Sequence, residues 1–197
     1  MTTAKVRLGG AWVDANVTGK ARLGGAWADF APAGGPTDEV IEWPNPPSNT
    51  DQDDAATYNL GLEFTVTATG SWIGNEWNPT PLNNPAPGGG TFYASAWNTG
   101  GSSLTTPEPF AAPAGGVKQQ VPFDTPVAVT TGVNYVAAIL LAHYTFLSNA
   151  GSWDEESPSG RIQAVSGRFR VDSLGNVDFP NSTSDNIYFI SPIIVFD

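Results

Sequence analysis

Acid–base catalysis needs a base set against a nucleophile, or two carboxylates facing one bond, and this sequence is poor in both. Its only histidine is His143. That residue follows the apolar run Val136-Ala137-Ala138-Ile139-Leu140-Leu141-Ala142 and reads as a structural histidine beside a buried strand. One imidazole per chain builds no histidine metal centre unless subunits share it. The chain has no cysteine, which removes thiol nucleophiles, thiolate metal sites and disulfides. Glu63, Glu76, Glu108 and the run Asp154-Glu155-Glu156 are the carboxylates available to a glycoside hydrolase. Only the last three cluster, beside Trp153, and a charge run in a loop reads as solvated surface. Asp51-Gln52-Asp53-Asp54 carries oxygen ligands of the kind calcium takes. It lacks the glycine and distal glutamate of a calcium loop, so a solvated acidic turn is the favoured reading. The sequence predicts no enzyme, no cofactor and no metal site.

Stacking on sugars is a different chemistry, and it needs only aromatic rings. Trp72 and Trp77 sit in a stretch, residues 70–90, that reads as a long Pro- and Asn-rich loop, and Trp153 sits in another. All three are candidate glycan contacts. For Trp72 and Trp77 the competing reading, that they cap the open end of a β-sandwich, is the stronger one.

A tandem repeat at the N-terminus carries the clearest signal. Lys5-Val6-Arg7-Leu8-Gly9-Gly10-Ala11-Trp12-Val13-Asp14 returns as Lys20-Ala21-Arg22-Leu23-Gly24-Gly25-Ala26-Trp27-Ala28-Asp29, identical at eight of ten positions. Gly-Gly supplies the two positive-φ residues of a tight primed turn, so each copy reads as a β-hairpin. Counting outward from the turns pairs Leu8 with Ala11, Arg7 with Trp12, Val6 with Val13 and Lys5 with Asp14. The second copy pairs Leu23 with Ala26, Arg22 with Trp27, Ala21 with Ala28 and Lys20 with Asp29. One side of each ribbon is thus apolar, and the other sets a cation over an indole, worth about 0.5–1 kcal/mol when exposed. A lone two-stranded ribbon is marginal in water. Its apolar side must rest on the chain's own domain, on another subunit or on another protein. The terminal position, ahead of a Pro- and Gly-rich segment, favours an intermolecular partner. Arg7, Leu8, Trp12, Arg22, Leu23 and Trp27 are the candidate docking residues.

The remaining elements follow from composition. With 22 glycines and 17 prolines in 197 residues and only 14% charged side chains, many turns and short strands are expected. Residues 32–57 read as an extended Pro/Gly-rich spacer between the hairpin arm (1–31) and the main domain (58–197). Leu60, Leu62, Phe64, Val66 and Ala68 alternate as a half-buried strand. Phe92–Trp97, Val117–Phe123, Val127–Val129, Val133–Leu141, Ile162–Val171 and Asn186–Phe196 read as further strands. Val133–Leu141 is apolar at both parities and should be central. Pro192 should interrupt pairing or lie at an edge. The fold class expected is all-β: an antiparallel β-sandwich, jelly-roll or Ig-like, with an arm of two short hairpins. A net charge of −11 argues against nucleic acid as a partner. No apolar run is long enough for a membrane-spanning helix, and Met1–Lys5 leads into no signal-peptide core.

Two resemblances sharpen the functional expectation. The Arg-Leu-Gly-Gly-Ala-Trp-x-Asp repeats resemble the Gly-Gly-x-Trp repeats near the ends of minor tail proteins of phages that infect actinobacteria. Residues 58–141 resemble a bacterial extracellular β-sandwich domain of unknown function. The matching parts are Leu62–Val66, Phe92–Trp97, Val121–Phe123 and Pro126–Val136, the last with its Pro-Val…Gly-x-x-Tyr-Val pattern. Together these imply a virion structural protein, made in the host cytoplasm without an export signal. It would be a minor tail or fibre component, as a homotrimer, docked on other virion proteins and possessing a surface for host cell-wall glycan. A capsid decoration or head-fibre protein is the variant within that class, and a free carbohydrate-binding module is the rival from another.

Overall fold

The computed structural model describes residues 5–8, 11–14, 19–23, 26–30, 38–43, 51–52, 57–77, 91–111, 118–141, 144–145, 155–172 and 176–197. The chain divides into two compact units, residues 1–37 and 38–197. The first holds two antiparallel ribbons. One pairs β1 (Lys5–Leu8) with β2 (Ala11–Asp14). The other pairs β3 (Gly19–Leu23) with β4 (Ala26–Phe30). The second unit is an antiparallel β-sandwich, as the strand pattern predicts.

Its strands are, in order, β5 (Asp38–Glu39), β6 (Asp51–Gln52), β7 (Thr57–Val66), β8 (Gly70–Trp77), β9 (Thr91–Asn98), β10 (Glu108–Ala111), β11 (Gln119–Val129), β12 (Asn134–Leu141), β13 (Tyr144–Thr145), β14 (Ile162–Asp172), β15 (Ser182–Ser184) and β16 (Ile190–Phe196). One sheet has six strands in the order β10-β9-β12-β7-β14-β15, and the facing sheet has four in the order β11-β8-β16-β5. β6 and β13 form a separate two-stranded pair. Among the described residues no helix is long and apolar enough to cross a membrane.

Alternation decides which side chains meet between the sheets. On β7, Leu60, Leu62, Phe64 and Val66 enter the core, which leaves Asn59, Gly61, Glu63 and Thr65 for the outer face. β12 lies between β7 and β9, as its apolar run requires. Tyr135, Ala137, Ile139 and Leu141 point inward, while Val136 and Ala138 join a second apolar cluster on the outer face. The turn before β12 explains the Gly-x-x-Tyr spacing. Gly132 has φ +75° in a turn closed by Val133 N–H donating to Thr130 O at 3.2 Å. Tyr135 then accepts the Thr130 N–H on its hydroxyl at 3.0 Å, tying the strand to its own turn.

Two sequence expectations need correction. Residues 70–77 are a strand, not part of a loop. Trp72 is fully buried and meets Phe64 edge-on at 5.0 Å, Phe123 at 5.6 Å and Tyr135 at 6.3 Å. Both neighbours of β8 slip register around Ile73, β16 between Ile193 and Ile194 and β11 between Pro122 and Val127. Such bulges hide the period-two signal and need a small residue. A Cβ on Gly74 would stand 2.4 Å from Val121 O.

The spacer also ends earlier than residue 57. Glu39 pairs with Ile194, and Ile41 and Trp43 lie in the main core. Continued antiparallel register would set Ile41 opposite Pro192, which has no N–H to give. There the ladder stops, and Ile41 N–H donates to Ser191 Oγ at 2.7 Å instead. Pro192 stays in register with Asn75 of β8, so it interrupts pairing only toward β5, where the same segment covers the gap. Between the expected strands Phe92–Trp97 and Val117–Phe123 the structure adds the edge strand β10 (Glu108–Ala111).

Candidate functional site

The hairpin arm pairs as outward counting from the turns requires. Lys5 faces Asp14, Val6 faces Val13, Arg7 faces Trp12 and Leu8 faces Ala11. Lys20 faces Asp29, Ala21 faces Ala28, Arg22 faces Trp27 and Leu23 faces Ala26, with Gly19 and Phe30 adding one pair. The six candidate docking residues thus occupy equivalent register positions in two copies. The turn glycines Gly9, Gly10, Gly24 and Gly25 lie outside the described residues. Among the described residues each ribbon is a sheet of two strands.

The glycan candidates fare differently. Trp72 has no exposed surface, and its Nε1–H donates to Gly74 O at 2.8 Å and to Asn75 Oδ1 at 3.1 Å. Trp77 is 6% exposed and belongs to the same core. Neither ring offers a face to a sugar, because burial of an indole in a sandwich core outweighs a solvent-side role. Trp153 lies outside the described residues, as do His143, Asp154, Asp53 and Asp54. Asp51 and Gln52 run in strand pairing with Tyr144 and Thr145 rather than in a free turn. Glu155 and Glu156 lie alongside β14, where Glu155 O accepts Ala164 N–H at 2.9 Å and Glu156 bridges to Gln163.

Three carboxylates that composition alone could not place are buried, and each is fully engaged. Glu63 accepts from Asn134 Nδ2 at 2.8 Å, from Ser166 Oγ at 3.2 Å and from Arg168 Nε at 2.9 Å. Glu76 accepts from Lys118 Nζ at 3.0 Å and Gln120 Nε2 at 3.1 Å. Glu39 binds Arg161 and the hydroxyls of Ser157 and Ser159. Burial would raise the Glu39 pKa, but Ser159, Arg161 and Ser157 together hold it below the usual carboxylate value. A carboxylate so held joins distant segments of the chain. Among the described residues no group of three His, Cys, Asp or Glu is arranged for a metal.

Residues 45–190 match the family model described as a domain of unknown function, DUF4082. The chain belongs to this family. The DUF4082 match spans β6 through β15 and ends at Ile190, so β5 and all but the first residue of β16 extend the sandwich beyond it. It also runs well past Leu141, into strands that sequence patterning alone identifies. No curated protein matches the chain.

The edges of the DUF4082 sandwich are built against adding strands. β10 carries Pro109, and β11 carries Pro122 and Pro126. The other two edges are β15, of three residues, and β5, of two. Proline removes the donor a new strand would need, and a short edge offers little to pair with.

Proposed function

We propose that the chain is a non-catalytic virion structural protein, a minor tail or fibre component that docks through its hairpin arm and displays the DUF4082 sandwich. One observation carries this reading. The chain carries two ribbons of the same register and, as a separate unit, a sandwich whose own edges resist strand addition. A two-stranded ribbon is too small to be stable alone, so its apolar side is completed by other surfaces, here those of neighbouring virion proteins and of copies of the same chain. The resemblance of the repeats to those of phage minor tail proteins supplies the kind of particle.

Deletion of residues 1–31 tests the docking role. Particles should then lack the protein while the remaining sandwich still folds; incorporation at the normal level would overturn the reading. Antibody-gold labelling of intact particles locates it. Gold at the tail supports the tail component, gold spread over the head replaces it with a capsid decoration protein, and unlabelled complete particles remove the virion assignment. Host-wall glycan binding gains no support from Trp72 or Trp77, both buried.

A further inference from the structure

The outer face of the six-stranded sheet carries a strap, residues 176–181, between β14 and β15. Val177 and Phe179 pack on Trp97, Val136 and Ala138, with the Phe179 and Trp97 rings 5.9 Å apart. Pro180 lies close over Gly61, where an added Cβ would come within 3.2 Å of its ring. The root of the strap is polar. Asn176 Nδ2 donates to Asp172 Oδ1 at 3.0 Å and to Asp178 Oδ2 at 2.8 Å, so one amide holds two carboxylates together. The main-chain carbonyl of Asp178 in turn accepts from Asn59 Nδ2.

Asn59 is the residue this network leaves unexplained. It is fully buried on β7, directly opposite Arg170 in register, and its Oδ1 has no hydrogen-bond partner. An unpaired buried amide oxygen is costly, and native structures rarely keep one without a reason. Here the amide lies against the Asp178 carbonyl, at the root shared with two carboxylates. Amide, carbonyl and carboxylate oxygens are the ligand set of a hard cation.

We propose that Asn59 Oδ1, the Asp178 main-chain carbonyl and the carboxylates of Asp172 and Asp178 bind one divalent cation of the calcium type. Asn176 completes the set by turning its amide so that oxygen replaces nitrogen, a rearrangement that leaves its shape unchanged. Arg170 is the internal competitor. Its Nη2 stands 2.8 Å from Asp178 Oδ2, and its side chain is 39% exposed, free to swing aside. Two carboxylates and one guanidinium leave the cluster one negative charge, so a dication is electrostatically welcome. With only two carboxylates the affinity should be in the weak range of extracellular modules, on the order of 10⁻⁴–10⁻³ M.

The full chain is titrated with calcium chloride and, separately, with terbium, with EDTA for reversal. Calcium about tenfold above the dissociation constant should raise Tm by roughly 3–5 °C, with magnesium far weaker. Asp178→Asn should abolish that rise. Arg170→Gln should do the opposite and tighten binding about tenfold, since it removes a like charge from the site. Asp53→Asn with Asp54→Asn should change nothing. The proposal falls if the wild type shows neither a calcium-dependent shift nor terbium binding. It falls equally if Asp178→Asn still responds, if Arg170→Gln binds no tighter, or if the Asp53/Asp54 pair removes the response. Because Arg170→Gln predicts a gain, a poorly folded Asp178→Asn does not rescue a failed proposal.

Discussion

Trp72 orients Asn75 through a hydrogen bond within β8, and Asn75 ties that strand to the facing sheet. Trp72 Nε1–H donates to Asn75 Oδ1 at 3.1 Å, and the Asn75 amide gives its hydrogens to Ser95 O at 3.0 Å and Ala138 O at 3.1 Å on the opposite sheet. Both hydrogens and the oxygen of a fully buried amide are engaged. A satisfied network of this kind specifies one alignment of the layers, whereas apolar contacts alone tolerate sliding.

Asn75→Leu should therefore be strongly destabilising despite its similar volume. It strands the Ser95 and Ala138 carbonyls in the core, at about 1–3 kcal/mol for a group left unpaired, while the indole N–H keeps its bond to Gly74 O. Urea unfolding monitored by fluorescence measures the loss. A change below the error of the fit would mean that water takes over these bonds.

Trp72→Ala should cost about 3–5 kcal/mol, the range for removing a large aromatic from a core. Trp72→Phe keeps most of the packing against Phe64 and Phe123 and should lose less. Equal losses would show that the indole N–H, not the ring, is what matters.

Glu39 makes stability depend on acidity in a defined direction. Its folded-state pKa lies below the 4.5 of an unperturbed glutamate. Its contribution is fully present above pH 4.5 and disappears as pH falls through the lowered value. Glu39→Gln should flatten the stability profile below that point and leave a smaller, constant stability above it. Thermal melts at stepped pH check this, and a variant that keeps the wild-type slope would assign the acid sensitivity to other carboxylates.

Gly132→Ala isolates backbone strain, because an added Cβ there meets nothing within 4 Å. At φ +75° an alanine should still cost about 1–2 kcal/mol, and Gly132→Asn less, since asparagine tolerates that region better. The comparison of melting temperatures decides it. An unaffected alanine variant would mean the turn relaxes.

Trp12→Ala and Trp27→Ala should each reduce particle incorporation while leaving the Tm of the sandwich as it was, since the arm and the sandwich are separate compact units. A lowered sandwich Tm would show that the hairpins cover their own domain.

Much of this fold could be read from local rules. The hairpin register followed from counting outward from Gly-Gly, because a two-residue turn leaves one pairing available. β7 and β12 were legible because alternation and a two-faced apolar run are direct consequences of burial on one side or both. β8 was not, since bulges around Ile73 put Trp72 and Trp77 at opposite parities yet both inside. Ile41 and Trp43 did alternate, but prolines at 36 and 44 made the stretch look like spacer. The carboxylate partners were invisible for another reason. Glu39 and Arg161 are brought together only by the closing of the sandwich, and nothing local announces it.

The position of β16 bears on how the protein is made. It is the last strand in the chain, yet it lies between β8 and β5, the first strand of the sandwich. As the polypeptide leaves the ribosome, Ile41 and Trp43 emerge early and wait for a partner more than a hundred residues away. The four-stranded sheet closes only after Phe196 has been added, so the nascent domain exposes its unfinished core throughout synthesis. Closure of that sheet is dominated by distant pairings and correspondingly slow.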